Sequence, residues 1–358
     1  MRTGSRPLRA LLACAALPLL LGASVAPPEA PHRSVSAWLP YWTTGPGLAD
    51  AVRHARDMEV ISPFWYDASG PSTVVAHEGA EDPAVVRALR KAGLRVVPTV
   101  TETMKAAGMD AMLADPAARG RHVDALVRIA SRPGYDGLDL DYERFSAAAD
   151  AAQADRLAAG YATFVAELCE RLHAVRKTCT VTVMYRTADD EQATALGEWH
   201  RVFDYARLGR SVDRLRIMGY QLHGPLDAPG PLTTPGWYRS ILRYATARVP
   251  LAKLEMSLPL HGWDWNLDAP DKRAGSTDWA GADARRRALG LPRRVDPASR
   301  TPYLRYRDDK GARRVVWYED AGSLAALVRE TDRAGVRKLT LWALDGRSDP
   351  AMWDALKR

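Results

Sequence analysis

Beyond residue 34 the chain alternates short runs of consecutive apolar residues with longer stretches in which apolar positions recur every three or four residues. The first pattern suits strands buried on both faces, and the second suits helices with one apolar stripe. The spacing predicts strands at Ser36–Tyr41, Glu59–Trp65, Leu94–Val100, Gly137–Tyr142, Thr180–Tyr185, Arg214–Tyr220, Leu254–Leu260 and Lys338–Leu344. Helical periodicity is clearest at Pro83–Ala92, Ala117–Ser131, Ala152–Val175 and Ala321–Ala334, with Gly93 and Gly335 where helix-ending glycines belong. Strands alternating with helices build a parallel sheet, and eight such units across 34–358 fit an α/β fold closed as a (β/α)8 TIM barrel. A doubly wound open sheet is the alternative. No G-x-G-x-x-G follows the first strand and no G-x-x-x-x-G-K-[ST] occurs, so its nucleotide-binding versions lose their support.

One interval, 262–318 between the seventh and eighth strands, breaks the alternation. It opens on Trp263-Asp-Trp-Asn266 and ends in two alternating runs, Tyr303-Leu-Arg-Tyr306 and Arg314-Val-Val-Trp317, about Asp308-Asp-Lys-Gly311. That is the pattern of a β-hairpin. A small insertion here emerges at the carboxyl ends of the barrel strands, where active sites of this fold lie, and is expected to form a cleft wall.

The amino terminus follows a different logic. Arg2, Arg6 and Arg9 precede the apolar run Ala10–Leu21 and the small residues of Gly22-Ala-Ser-Val-Ala-Pro-Pro28. This is the signature of a signal peptide over residues 1–26, so the sequence predicts a secreted, extracellular or cell-wall-associated protein cleaved between Ala23 and Ala26. Leu11-Leu-Ala-Cys14 resembles a lipoprotein cleavage box; with so few apolar residues before Cys14, lipid anchoring is the lesser reading. No stable membrane insertion is expected, because the run is short, contains Pro18, and has no longer counterpart elsewhere. The formal charge of +7 falls to +4 without that segment, and the arginines are spread among acids. Such a diffuse surplus favours loose contact with an anionic wall and argues against nucleic-acid binding. Cys169 and Cys179 form an even pair, which an oxidising compartment permits to bridge; two buried thiols are the alternative.

Candidate chemistry is concentrated on the fourth strand, in Asp136-Gly-Leu-Asp139-Leu-Asp141-Tyr-Glu143. Successive side chains point to opposite faces, so Asp139, Asp141 and Glu143 share one face and Leu138, Leu140 and Tyr142 the other. In a barrel the apolar set meets the helices, and the acids climb the interior with Glu143 at the open rim. Gathering acids there is costly unless they share protons or perform chemistry. Like charges raise at least one pKa toward the range that a general acid needs. A surface acidic loop does not explain the apolar residues between the acids, and a divalent-metal site lacks histidine partners nearby. No metal and no other cofactor is expected. The eight histidines form neither H-E-x-x-H nor zinc spacing, and no G-x-S-x-G occurs. His223 and His261 follow strands six and seven and are candidates for the cleft, while Trp38, Trp42, Trp65, Tyr66, Trp263 and Trp265 sit at strand ends as ligand platforms or rim packing.

The D-x-x-D-x-D-x-E spacing resembles the signature of glycoside hydrolase family 18, the chitinase-like enzymes. Met218-Gly-Tyr220 resembles that family's M-x-Y, Leu258-Pro-Leu-His-Gly-Trp263 its seventh strand, and Leu341-Trp-Ala-Leu-Asp345 its terminal tryptophan strand. Ser62-Pro-Phe-Trp-Tyr66 and Val316-Trp-Tyr-Glu-Asp320 look closest to the bacterial spore-germination and cortex-lytic N-acetylglucosaminidases. The resemblance implies a monomeric hydrolase acting on an N-acetylated polysaccharide or oligosaccharide, of chitin type or from peptidoglycan. It further implies substrate-assisted retaining catalysis, an exception to the usual two-carboxylate scheme. By this likeness Glu143 is the general acid and base, Asp141 holds the substrate's acetamido nitrogen, Asp139 shares a proton with Asp141, and Tyr220 donates to the acetamido carbonyl. Trp342 would floor the sugar pocket, with Met218, Gln221, Trp65 and Trp263 as further substrate contacts, and Asp136 structural. Gln221 stands where many members carry Asp, so a contact that ionises there is replaced by one that does not. Two rivals are a non-catalytic glycan-binding barrel, which typically lacks the terminal acid, and a two-carboxylate glycosidase with Asp345 as nucleophile.

Overall fold

The computed structural model describes residues 1, 4 and 33–357 apart from 190, 191, 195 and 196. The expected signal peptide, with Cys14 and its cleavage site, lies outside the described residues. Among the described residues no helix is long and apolar enough to cross a membrane.

Eight parallel strands close into a barrel: Ser34–Pro40, Val60–Gly70, a third in two pieces (Arg95–Val96 and Thr99–Glu102), Gly137–Asp141, Thr178–Met184, Arg214–Met218, Leu254–Pro259 and Lys338–Trp342. The first strand pairs with both the second and the last, which is the closure of a TIM barrel. The third strand is interrupted at Val97-Pro98, where proline has no N–H for the ladder. Helices between the strands begin at capped positions: Asp82, Asp115, Asp150 and Asp320 each accept a backbone N–H of the first turn.

The alternation of each strand sorts its residues. Leu138, Leu140, Val181, Val183, Leu215, Ile217, Met256, Leu258, Leu339 and Leu341 are buried in the core between strands and helices. Gly219, between Met218 and Tyr220, leaves room on that outer side for the Tyr238 ring, whose Cε2 would lie 2.3 Å from an added Cβ. The barrel interior is polar. Ser36, Ser62, Thr99, Asp139, Thr182, Arg216 and Glu255, one from each of the first seven strands, have no exposed surface and form one hydrogen-bonded net. Arg216 is its centre. It donates to Asp139 Oδ2 at 2.8 Å and to Glu255 Oε2 at 2.6 Å, reaches Ser36 and Ser62, and stacks over the Trp38 ring at 4.5 Å. Arg214 adds a second bond to Glu255 at 2.7 Å. Although burial opposes it, these two guanidinium groups hold the Glu255 carboxyl down to about 2.

Three features add to the plain barrel. The second strand runs past the sheet and turns back as Thr73–Ala76, an antiparallel hairpin that the apolar pattern, ending at Trp65, does not predict. The insertion forms a five-stranded antiparallel sheet in the order Gly275–Asp278, His261–Asn266, Arg313–Tyr318, Pro302–Arg307 and Arg294–Val295, including the predicted hairpin. Cys169 and Cys179 are bonded, tying the helix Ala151–Ala174 to the start of the fifth strand across a sequence separation of 10.

Two stability outcomes follow. Replacing Arg216 by Met leaves the enclosed Asp139 without its cation and Glu255 with Arg214 alone, and is expected to lower the unfolding free energy by about 3–5 kcal/mol, read from denaturant midpoints. Replacing both cysteines by alanine removes a short covalent loop and is expected to lower it by about 2–3 kcal/mol in the same assay.

Candidate active site

The fourth strand delivers its acids in the predicted order up the barrel axis. Asp136, at the strand's start, accepts from Val96 N and from Arg90, both at 2.8 Å, and is a structural tie at the far end. Asp139 is wholly enclosed and accepts from Trp38 Nε1 at 3.0 Å, Thr99 Oγ1 at 2.8 Å, Thr182 Oγ1 at 2.9 Å and Arg216. Burial pushes its carboxyl up, but a guanidinium and three further donors stabilise the ionised form. Asp141, one step higher, is 3% exposed and its Oδ1 has no hydrogen-bond partner. Burial, then the charges of Glu143 and Asp139, raise its carboxyl well above the usual range. Of the two, Asp141 therefore holds the proton and Asp139 the charge.

Glu143 is half-buried where the strand ends and a one-turn helix, Arg144–Ser146, begins. Burial and the charge of Glu198 push its carboxyl up to about 7, against the pull of Arg144. Asp141 and Glu143 line a cavity of about 390 Å³. Its other walls are Tyr41 and Trp42 in the turn after the first strand, Phe64 from the second, Asp67 and His77 at the hairpin, Thr101 and Glu102 from the third strand, Arg144, Ser146 and Ala147 after Glu143, and Glu198. The Tyr41 and His77 rings stack at 4.1 Å, and Asp67 accepts from Thr101 Oγ1 and pairs with His77 Nε2 at 3.3 Å.

The remaining expected residues divide. Tyr220 is buried at 4% exposure, and after burial itself the charges of Asp141 and Glu143 most raise its hydroxyl, so it belongs to the same electrostatic neighbourhood. Trp342 is partly exposed, and its ring meets Trp38 and Phe64 edge-on at 5.3 Å each, which joins it to the cavity wall. Met218 shares the inward parity of Tyr220 and is buried in the main core cluster. Gln221 is exposed on the following loop in a left-handed backbone conformation, φ 76°. Trp65 is a correction: it has no exposed surface and packs toward Tyr135, with Phe64 facing the cavity instead. Ser62 and Phe64 point inward, so the strand's own alternation turns Trp65 to the helix side, and the register shift between Phe64 and Tyr66 sends Tyr66 there as well. Trp263, 9% exposed, packs with Trp265, Ala274 and Val315 of the insertion and with Leu232 from the loop after the sixth strand, and is not part of the cavity lining.

Of the two histidines, His261 is half-buried with its ring edge-on to Tyr220 at 5.8 Å, and burial of the imidazole lowers it to about 4, so it is neutral. His223 bonds to Ala228 O on its own loop. Asp345 does not line the cavity; its Oδ1 accepts from Arg347 N. Among the described residues no group of three or more His, Cys, Asp or Glu side chains is arranged to hold a metal ion. Sequence reasoning missed Arg216, Glu255, Glu102, Asp67, His77 and Glu198. Charged residues at inward positions of otherwise apolar strands were the available signal for Arg216 and Glu255.

The arrangement has a proton donor near neutrality at a cavity rim, a protonated carboxyl beneath it, and a fixed negative charge below that. Residues 72–346 match the model of the glycosyl hydrolases family 18. The chain is 28% identical over 249 residues to the cortical fragment-lytic enzyme of Bacillus subtilis, covering 68% of this chain and 54% of that protein. It therefore spans little more than half the length of that relative. Among solved structures, the chitinase of Chromobacterium violaceum superposes with a TM-score of 0.78 at 25% identity, covering 91% of this chain and 98% of that one. The spore cortex-lytic enzyme SleL of Bacillus cereus superposes at 0.79 with 21% identity, covering 91% and 73%, a likeness of fold. With the family model covering most of the chain and the acid column in place, the chain belongs to the glycosyl hydrolases family 18.

Proposed function

We propose that the protein is a secreted, monomeric enzyme that hydrolyses β-linked N-acetylglucosamine-containing glycan by substrate-assisted retaining catalysis. The observation that carries this reading is Glu143, raised to about 7 at the rim of the cavity directly above the enclosed Asp141. A carboxylic acid that titrates near neutrality is matched to protonating a leaving-group oxygen. In the first step the Glu143 proton passes to the glycosidic oxygen as the bond from that oxygen to C1 breaks. The carbonyl oxygen of the sugar's own 2-acetamido group bonds to C1 and yields an oxazolinium ion. In the second step the Glu143 carboxylate takes a proton from water, whose oxygen attacks C1, and the acetamido carbonyl is released with the acid restored.

The chain's other groups suit supporting roles. Asp141, holding a proton beside Glu143, is a poor nucleophile and a good partner for the acetamide. Tyr220 is a donor for the acetamido carbonyl, and Trp342 with Phe64 and Trp42 offers aromatic faces to the apolar face of sugar rings. Asp345, away from the cavity lining, does not supply the protein nucleophile that a two-carboxylate mechanism requires. The substrate class is supported by the names of the relatives, a chitinase and a cortical fragment-lytic enzyme. Export is supported by the basic, apolar and small-residue order of residues 1–26.

Release of a reporter from N-acetylglucosaminyl oligosaccharides tests the reading. Glu143→Gln is expected to reduce kcat by about 10²–10⁴-fold, and matched glucose substrates lacking the acetamide are expected to remain uncleaved. Equal turnover by wild type and variant would remove the catalytic assignment. Because the first step needs protonated Glu143, kcat/KM is expected to fall as pH rises through about 7.

A further inference from the structure

The chain's surplus of positive charge sits on the insertion. Residues 262–318 hold 13 Lys and Arg against 8 Asp and Glu, while the rest of the chain beyond residue 33 holds 33 against 34. The inserted sheet sorts its residues between two faces, because residues directly opposite in antiparallel strands share a face. Asp264 lies on the face turned to the helix Trp279–Ala288, where it pairs with Arg285 and Arg314. On the other face Trp263, Trp317 and Tyr303 stand opposite one another on three neighbouring strands, and Arg294 follows on the fourth. The Trp317 and Tyr303 rings stack at 4.9 Å. At the inner end of the row the Trp263 ring meets His261 edge-on at 5.4 Å, and His261 meets Tyr220 beside the acid column. An aromatic row therefore leads from the site out across the insertion. The loop after the sixth strand covers its inner end, through Leu232 and the bond from Trp265 Nε1 to Asp227 O at 3.0 Å, and Trp317 and Tyr303 beyond that loop are partly exposed. Three exposed cations border the row: Arg273 over the Trp263 ring at 5.9 Å, Arg294 opposite Tyr303, and Arg305 two residues along the same face. Arg313 is paired with Asp268, but among the described residues none of these three pairs with a carboxylate.

We propose that this face is a docking surface for a carboxylate-bearing N-acetylated glycan, the same strand that the enzyme cleaves, with the aromatic row under its sugars and Arg273, Arg294 and Arg305 on its carboxylates. This rests on the substrate reading above. Indole and phenol faces fit the apolar side of a sugar ring, and a guanidinium fork matches a carboxylate. A neutral glycan uses the rings alone, and a polyol phosphate has charge but no ring to stack. The combination selects a sugar chain that carries acids. The cavity has the opposite character: Asp67, Glu102, Asp141, Glu143 and Glu198 line it, against Arg144 and His77. Acids on the sugar are disfavoured at the point of cleavage and favoured along the insertion. An uncharged N-acetylglucosamine unit therefore goes to the cavity, and the acidic units of the same strand go to the sheet.

The test measures binding to the Glu143→Gln protein of soluble peptidoglycan chains, freed of stem peptides and teichoic acid, with their lactyl carboxylates either free or converted to amides. Adding Arg294→Gln with Arg305→Gln is expected to weaken binding of the free-acid chains about five- to tenfold at low ionic strength, less as salt rises, and to leave binding of the amidated chains within about twofold. Arg121→Gln with Arg128→Gln removes the same charge from exposed positions on the helix Pro116–Ala130 and is expected to change neither. Tyr303→Ala is expected to weaken both forms alike, by about fivefold. Free-acid chains bound equally well with and without the two arginines, or equal losses on the acid and amide forms, would overturn the proposal. So would a loss on isolated teichoic acid larger than that on the free-acid chains, which would make the face a phosphate-polymer site. Cleavage of the chains by the Glu143→Gln protein would count against the catalytic assignment instead, and an acid-selective loss in the arginine variant would leave the docking surface standing.

Discussion

The constraint on which the site depends is the charge pairing of Arg216 at the bottom of the barrel. A guanidinium with no exposed surface bonds two enclosed carboxylates, Asp139 and Glu255, and Arg214 completes the balance from the strand's earlier inward position. Ions removed from water in this way are tolerated only when every charge is matched and hydrogen-bonded. Here the matching is met across seven strands, so the polar interior also fixes the strands' relative positions. The floor beneath the chemistry is therefore rigid and electrically balanced.

That balance decides the protonation of the column above it. Once Asp139 is ionised and satisfied by four donors, Arg216 is committed to Asp139 and Glu255 and only partly offsets a second charge at Asp141, against burial and the charges of Glu143 and Asp139. Asp141 keeps its proton, and the raised position of Glu143 follows from burial and from Glu198 beside the cavity. A graded stack emerges: fixed negative charge, neutral carboxyl, titrating acid. The distinct environments of three chemically similar groups give each a separate task, which is how carboxylates on one strand can serve different steps.

Much of this was legible in the sequence. The eight barrel strands were legible because the apolar residues of their helix-covered outer faces recur at every second position, and the acids were marked by the same two-residue spacing. Trp65 was misplaced although the same two-residue spacing, counted from the inward Ser62, turns it to the helix side; the register shift beside Phe64 displaces Tyr66 from that count. The hairpin carrying His77 lies beyond the apolar run, where half-exposed residues leave little pattern. Arg216 and Glu255 sit on adjacent strands but 39 residues apart in sequence, so their partnership exists only after closure. Spacing allowed a bridge between Cys169 and Cys179, and the 5.3 Å separation of their Cα atoms was needed to show it.

The most direct test of this account is a neutron structure of the deuterated protein near neutral pH, which locates the protons on the acid column. The account predicts deuterium on an Asp141 oxygen, none on Asp139, and a fully charged Arg216 between Asp139 and Glu255. Deuterium on Asp139 with Asp141 bare would contradict it, because the charge floor would then no longer direct the proton toward the reacting end.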